Sequence, residues 1–254
     1  MIAMRVTMLG TGTTYPDPER VQSGILIELE DQSILFDIGS GVFHRLTQVG
    51  LDLKSISSIF ITHFHVDHCS DFLILCQNLW LSGHDRPLNI YGPPHIKQWY
   101  RALLDIAFPY AQNRLIMDAH VLREQEVIHI QDAAVSNVPT IHGNMEARAL
   151  KIEWQGRSLV YSSDTAPSRD VIDLAKGTDV LIHECNWLDG PNPEGVHTTP
   201  SQLAEIVEEV HPKKVILTHV SPDVVKESDK VIEIISRRTD AEIVLGKDLL
   251  SITV

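Results

Sequence analysis

The stretch that decides the reading is Thr62-His63-Phe64-His65-Val66-Asp67-His68-Cys69-Ser70-Asp71, THFHVDHCSD at residues 62–71. Three histidines and an aspartate fall within six consecutive positions, directly after the apolar run Ile59-Phe60-Ile61. In an extended segment alternate side chains share a side, so His63 and His65 converge on one point. Asp67 and His68 are neighbours and diverge from that pair unless the chain turns. A turning loop therefore offers two ligand sets from one segment. Neutral imidazole and carboxylate suit Zn²⁺, with Mn²⁺ or Fe²⁺ as alternative occupants. A histidine-rich surface loop is the bland alternative, and the ordered H-x-H-x-D-H spacing after a strand argues against it.

Working outward, the segments on either side read as alternating β and α elements. Strands are expected at Arg5–Leu9, Gly24–Glu28 and Ser33–Phe36, the last two joined by the hairpin loop Glu30-Asp31-Gln32. A strand over Ile56–Thr62 leads into the cluster, with short helices at Gly41–Val49 and about Asp71–Leu81. Leu88–Tyr91 is a strand stopped by Gly92-Pro93-Pro94. His95–Phe108 has helical period, with Ile96, Trp99, Leu103 and Ile106 on one face.

The second half gives β segments around His120–Val138, Ala147–Trp154 and Ser158–Tyr161. Pro167–Ala175 reads as a helix with proline at its start. Val180–His183 and Lys214–Thr218 are strands around the helix Pro200–Val210. A helix over Pro222–Arg238 precedes the strands Glu242–Leu245 and Leu250–Val254. No linker or charge block divides the 254 residues, so they read as a single domain, 1–254, with helices outside two sheets.

Composition narrows the function classes. The formal charge is −13, from 21 basic and 34 acidic residues, which argues against a broad basic face for nucleic-acid backbone. The three cysteines, Cys69, Cys76 and Cys185, form no CxxC pair and read as reduced thiols. Met1–Arg5 shows no leader pattern, and no window reaches the about 18 apolar residues that span a bilayer. A cytoplasmic protein with no membrane partner is expected.

A complete metal site needs further ligands just past strand ends. His142 in PTIHG, Asp164 in YSSDT and His219 in LTHVS fit, and with the cluster they are too many for one tetrahedral ion and about right for two. HFHVDH, a lone His, an Asp after a strand and a late His resemble the metallo-β-lactamase superfamily, from Leu9 to Ser221. The resemblance implies an α/β fold, the αββα sandwich of two mixed sheets flanked by helices. It also implies two Zn²⁺ per chain: His63, His65 and His142 on one, Asp67, His68 and His219 on the other. Asp164 would bridge them through its two oxygens.

LGTGTTYPDPER (9–20), LFDIGSG (35–41), IYGPP (90–94), LIHECNW (182–187) and VHTTPSQLAEI (196–206) are similar to the ribonuclease Z branch, which includes phosphodiesterases and arylsulfatase-like enzymes. Gly10-Thr11-Gly12 is no dinucleotide fingerprint, because Tyr15 stands where a third glycine belongs. Asp37 is expected to accept hydrogen bonds behind the ligands. By resemblance Glu184 and His197 form a carboxylate–imidazole pair acting as general acid, and Asp67 both binds metal and orients the activated water shared by the two ions. His183 reads as structural, and His44, His84, His95, His120, His129 and His211 as ordinary.

The implied activity is hydrolysis of phosphodiester bonds. An arylsulfatase-like or other ester hydrolase is the alternative, and an inactive metal-binding scaffold is the alternative from another class, which has no need of a general acid. Only 21 residues separate His142 from Asp164, filled by a hairpin where tRNA-processing members insert a basic arm. His197-Thr198-Thr199 also replaces the branch's usual His-Ser-Thr. Both departures favour small phosphodiesters over structured tRNA as partner. The family resemblance further implies a homodimer.

Overall fold

The computed structural model describes residues 4–254, so Met1–Ala3, part of the stretch read for a leader, lie outside it. In chain order the elements are β1 (Arg5–Gly10), β2 (Gly24–Glu28), β3 (Ser33–Phe36), α1 (Val42–Val49), β4 (Ile56–Phe60), α2 (Val66–Cys69), α3 (Phe72–Leu81), β5 (Leu88–Gly92), α4 (Ile96–Ala102) and β6 (Met117–Val121). They continue as β7 (Val127–Ile130), β8 (Ala133–Pro139), β9 (Arg148–Trp154), β10 (Arg157–Tyr161), α5 (Arg169–Ala175), β11 (Val180–Glu184), α6 (Pro200–Val210), β12 (Lys214–Thr218), α7 (Pro222–Lys226), α8 (Ser228–Ser236), β13 (Glu242–Leu245) and β14 (Ser251–Thr253). Contacts divide the chain into two compact units: residues 4–10, 19–122 and 248–253, and residues 11–18, 123–247 and 254.

The first unit is built on a seven-stranded sheet in the order β14-β1-β2-β3-β4-β5-β6. Its β1, β2 and β3 pair antiparallel, whereas β3, β4, β5 and β6 run parallel. Leu26 and Leu35 are fully buried in one cluster with Val42, Leu46, Phe72 and Leu75 of α1 and α3. The alternating Ile25, Ile27, Ile34 and Phe36 are buried as well. Strands covered on both faces read as continuous apolar runs, which is what GILIE and SILF are.

The second unit repeats the plan, in the order β13-β12-β11-β10-β9-β8-β7. Its β10 to β13 are parallel and β7 to β10 antiparallel. Val160, Leu181, Val215 and Leu217 are buried together with Leu203, Val207, Val231 and Ile235 of α6 and α8. Burying one such aliphatic side chain contributes roughly 1.5–3 kcal/mol, so these clusters fix the strand ends that carry the polar residues.

Three local expectations need correction. The helix from His95 ends at Ala102 and continues as a π turn over Leu103–Ala107. The wider turn shifts the apolar face, leaving Ile106 81% exposed while Ile96 stays buried. Helix α5 starts at Arg169 behind Ser168, so Pro167 lies before the cap instead of in the first turn. The helix read over Pro222–Arg238 is two: α7 ends at Lys226, and Glu227, with φ of −100° and ψ of 20°, breaks the helical path before α8.

Candidate metal centre

In the first unit the polar residues gather where the parallel strands β3 and β4 end. Asp37, the residue after β3, adopts φ 60°, a left-handed conformation that aspartate tolerates better than most residues. Its backbone N–H donates to the Phe60 carbonyl at 2.8 Å. Its carboxylate accepts from the Thr62 N–H at 2.8 Å, from Thr62 Oγ1 at 2.8 Å and from His68 Nδ1 at 2.7 Å. Asp37 and His68 are both fully buried, so this is a charge-assisted network out of water.

That network sets the histidine tautomers. A carboxylate oxygen can only accept, so His68 carries a proton on Nδ1, and as a neutral ring it keeps its lone pair on Nε2. Thr62 Oγ1 gives its proton to Asp37 and so accepts from His63 Nδ1 at 3.1 Å, which puts the His63 lone pair on Nε2 as well. His63 Nε2 lies 3.1 Å from His65 Nδ1, and the rings of His63 and His68 lie 4.0 Å apart. The chain turns as the motif requires: His65 is extended (φ −63°, ψ 145°) and caps the one-turn helix α2, which carries Asp67 and His68.

Backbone contacts hold this turn. Ile38 N–H donates to the His68 carbonyl at 2.8 Å and Ser23 N–H to the Asp67 carbonyl at 3.1 Å. A Cβ at Gly39 would stand 2.1 Å from the Asp67 carbonyl oxygen, so LFDIGSG needs glycine there for close approach.

In the second unit the ends of the parallel strands again carry the chemistry. Asp164 follows β10, Glu184 ends β11 and His219 follows β12. One carboxylate oxygen, Asp164 Oδ2, lies 3.5 Å from His142 Nε2 and 3.5 Å from His219 Nε2. His142 Nδ1 donates to the Val196 carbonyl at 2.9 Å, which again places the lone pair on Nε2.

Glu184 is fully buried and accepts four hydrogen bonds. Its Oε1 takes His197 Nδ1 at 2.7 Å and the Thr165 N–H at 2.8 Å, and Oε2 takes the N–H groups of Asn186 at 3.1 Å and Thr198 at 3.2 Å. His197 is 11% exposed, so a buried carboxylate fixes an imidazole whose far edge meets solvent. The His197 ring lies 5.0 Å from His142 and 5.4 Å from His219. Asp164, His197 and His219 bring ligand-capable atoms within 4.8 Å of one another.

Every residue expected at the site thus lies in one of two local clusters: His63, His65, Asp67 and His68 with Asp37, and His142, Asp164 and His219 with His197 and Glu184. His183 is buried beside them with Nδ1 2.8 Å from the Glu184 carbonyl, and burial holds its imidazole below the ordinary histidine range, which suits a structural role. None of His44, His84, His95, His120, His129 and His211 joins a donor group among the described residues. The reading missed Thr62, Val196 and Asn186, whose amide lies 3.4 Å from His219 Nδ1. A hydroxyl beside the first histidine was a usable signal for Thr62, whereas a backbone carbonyl leaves none.

The donor chemistry fits a cation. Two ligands of a tetrahedral ion, each about 2.1 Å from it, lie about 3.4 Å apart. Asp164 Oδ2 and its two histidine nitrogens have that spacing, which is long for a hydrogen bond. No helix among the described residues is long and apolar enough to cross a membrane.

Comparison with known proteins gives the chain relatives and a fold. A ribonuclease Z of Archaeoglobus fulgidus is 26% identical over 302 residues, covering 98% of this chain and 97% of the relative. The crystal structure of the metallo-β-lactamase fold protein YhfI from Bacillus subtilis matches with a TM-score of 0.86 at 22% identity, covering 99% of this chain and 100% of that one. Human tRNase Z, short form, matches with a TM-score of 0.79 at 24% identity and 98% coverage of each chain. The fold is therefore the metallo-β-lactamase α/β sandwich, and the resemblance to the ribonuclease Z branch holds. The family model described as Anti-Pycsar protein Apyc1 matches residues 4–238, and the chain belongs to that family.

Proposed function

We propose that this protein is a metal-dependent hydrolase of small phosphodiesters, in which the two clusters act together as one binuclear site of a single domain. His63, His65 and His142 would hold one ion, Asp67, His68 and His219 the other, and Asp164 would serve both. Zinc is the ion the donor set favours, since five of the seven ligands are imidazoles. When bound, such ions activate a water nucleophile and neutralise the phosphoryl oxygens.

The observation that carries the reading is the preparation of the histidines. His63, His68 and His142, as neutral rings, each present a lone pair on Nε2 because Thr62, Asp37 or the Val196 carbonyl accepts a hydrogen bond from Nδ1–H. Surface histidines have no need of such partners, whereas metal ligands are held in this way. His197, oriented by Glu184, would give the proton on its Nε2 to the leaving oxygen, and Asp67 would orient the attacking water.

Two observations favour a small substrate over tRNA. Strands β9 and β10 pair from Trp154 opposite Arg157, so a two-residue turn stands between His142 and Asp164 where an arm would be inserted. The alignment with the archaeal ribonuclease Z, at 302 residues, is also longer than this chain, so that relative carries segments absent here.

The test combines turnover with elemental analysis. Zinc-loaded protein should cleave bis-p-nitrophenyl phosphate or a cyclic nucleotide far better than an aryl sulfate, a lactone or a precursor tRNA. Two ions per chain are expected, and Asp164→Ala should lower both occupancies. One tightly bound ion under zinc-replete conditions, or precursor tRNA as the preferred substrate, would refute the reading.

A further inference from the structure

The second unit holds a pocket of about 600 Å³ with His197 in its wall. Trp187, Ile141, Pro167, Pro191 and Pro193 supply its apolar surface. The Trp187 ring stands edge-on to the His197 imidazole, with centroids 4.9 Å apart and an interplanar angle of 85°. Ile141 is 46% exposed although it is large and aliphatic, and its bridge to Ala166 fixes it in place. The wall over residues 190–195 is stiffened by two prolines and by Asn192, whose amide donates to the Leu188 carbonyl at 2.8 Å and the Gly190 carbonyl at 3.3 Å.

The charges around this pocket limit what it can take. No cationic lysine or arginine lines it to pair with a second phosphate or other anion, and its one carboxylate is Glu194. Trp187 and the proline rings offer flat apolar faces of the kind on which aromatic rings stack. In the function proposed above, His197 protonates the leaving oxygen, so the group attached to that oxygen must lie on the His197 side.

We propose that this pocket receives the body of the leaving alcohol, a flat uncharged aromatic ring, and that Trp187 and Ile141 select it. The assignment rests on the proposed role of His197. The ring-binding step can be tested apart from hydrolysis.

Turnover of bis-p-nitrophenyl phosphate is compared with that of bis(2,2,2-trifluoroethyl) phosphate, the latter followed by fluorine NMR. In Trp187→Ala the ratio of kcat/KM, aromatic over trifluoroethyl, should fall by about tenfold, mostly through KM, the scale of one lost stacking contact. Trp187→Phe should restore most of the ratio, and Ile141→Ala, at a half-exposed position that spares the fold, should lower it in the same direction. Saturation-transfer NMR with phenol on the purified protein should show binding that both alanine variants weaken.

Equal losses on both diesters would make Trp187 a support for His197 and overturn the proposal, as would an unchanged ratio in both variants. If the wild type hydrolyses neither diester but binds phenol through Trp187 and Ile141, the ring pocket stands and the hydrolase reading falls.

Discussion

Asp37→Asn is the sharpest single test of how the metal centre is prepared. Asparagine is close to isosteric and also tolerates φ near 60°, so the backbone turn survives and the change is confined to charge and hydrogen-bond polarity. One oxygen can still accept from the Thr62 N–H. The amide nitrogen, in place of Oδ2, meets the Thr62 hydroxyl and His68 Nδ1, which both donate to Asp37 in the wild type. Donor then faces donor at 2.7–2.8 Å. His68 can respond by moving its proton to Nε2, and the lone pair that a metal needs is lost.

Two charge-assisted hydrogen bonds at about 1.5–3 kcal/mol each put the loss of metal-free stability at roughly 3–6 kcal/mol. That is a large part of the about 5–15 kcal/mol that a domain ordinarily has. Loss of a partner behind a ligand costs about 10–100-fold in metal affinity. Urea melts of the metal-free variant, and zinc competition against a chromophoric chelator, read these two effects separately. Zinc affinity within threefold of wild type, with an unchanged urea midpoint, would refute the claim that Asp37 sets the His68 tautomer.

His197→Ala should keep both metals and lose about 10²–10⁴-fold in kcat, with the loss shrinking as the leaving group becomes a better one. Metal loss in that variant, or equal rate losses for nitrophenolate and alkoxide leaving groups, would remove the proton-donor role. Glu184→Gln should show a weaker form of the same pattern, read by the same rate series. The thiols of Cys69 and Cys76, pushed up to about 12 chiefly by burial, and that of Cys185, pushed well above the ordinary range by burial, should resist a thiol reagent at pH 8. Raised values mean little thiolate at that pH, so all three should react only as the protein unfolds, and rapid labelling of the native chain would show that the burial is wrong.

The histidine–aspartate cluster proposed to hold metal was legible in the sequence because its information is local. H-x-H-x-D-H states both the ligand types and the turn that separates them, and α2 is that turn. His142, Asp164 and His219 were legible one step less directly, from polar residues standing just past apolar runs. Strand ends are where parallel sheets place their side chains for chemistry, so chain order alone singled out these residues. The pairing of Glu184 with His197, suggested by resemblance, is present as a 2.7 Å contact. The helix errors were also local in cause. A π turn at Leu103 and a break at Glu227 involve no glycine or proline, so residue type gave no warning.

What the sequence by itself determined is therefore the run of strands and helices, the residue types that could hold a metal and the order in which they arrive. The fold class came from the resemblance that its motifs carry. Apolar periodicity and side-chain chemistry are properties of short segments and survive without the fold. The tertiary structure alone decided which ring nitrogen of His68 and of His142 carries the proton, because the deciding acceptors are Asp37, 31 residues from His68, and the Val196 carbonyl, 54 residues from His142. It also decided that Gly39 must be glycine and that Trp187 and Ile141 share a wall with His197. A carbonyl oxygen, a close backbone approach and an empty volume have no letter in the sequence, since each exists only once distant segments are packed together.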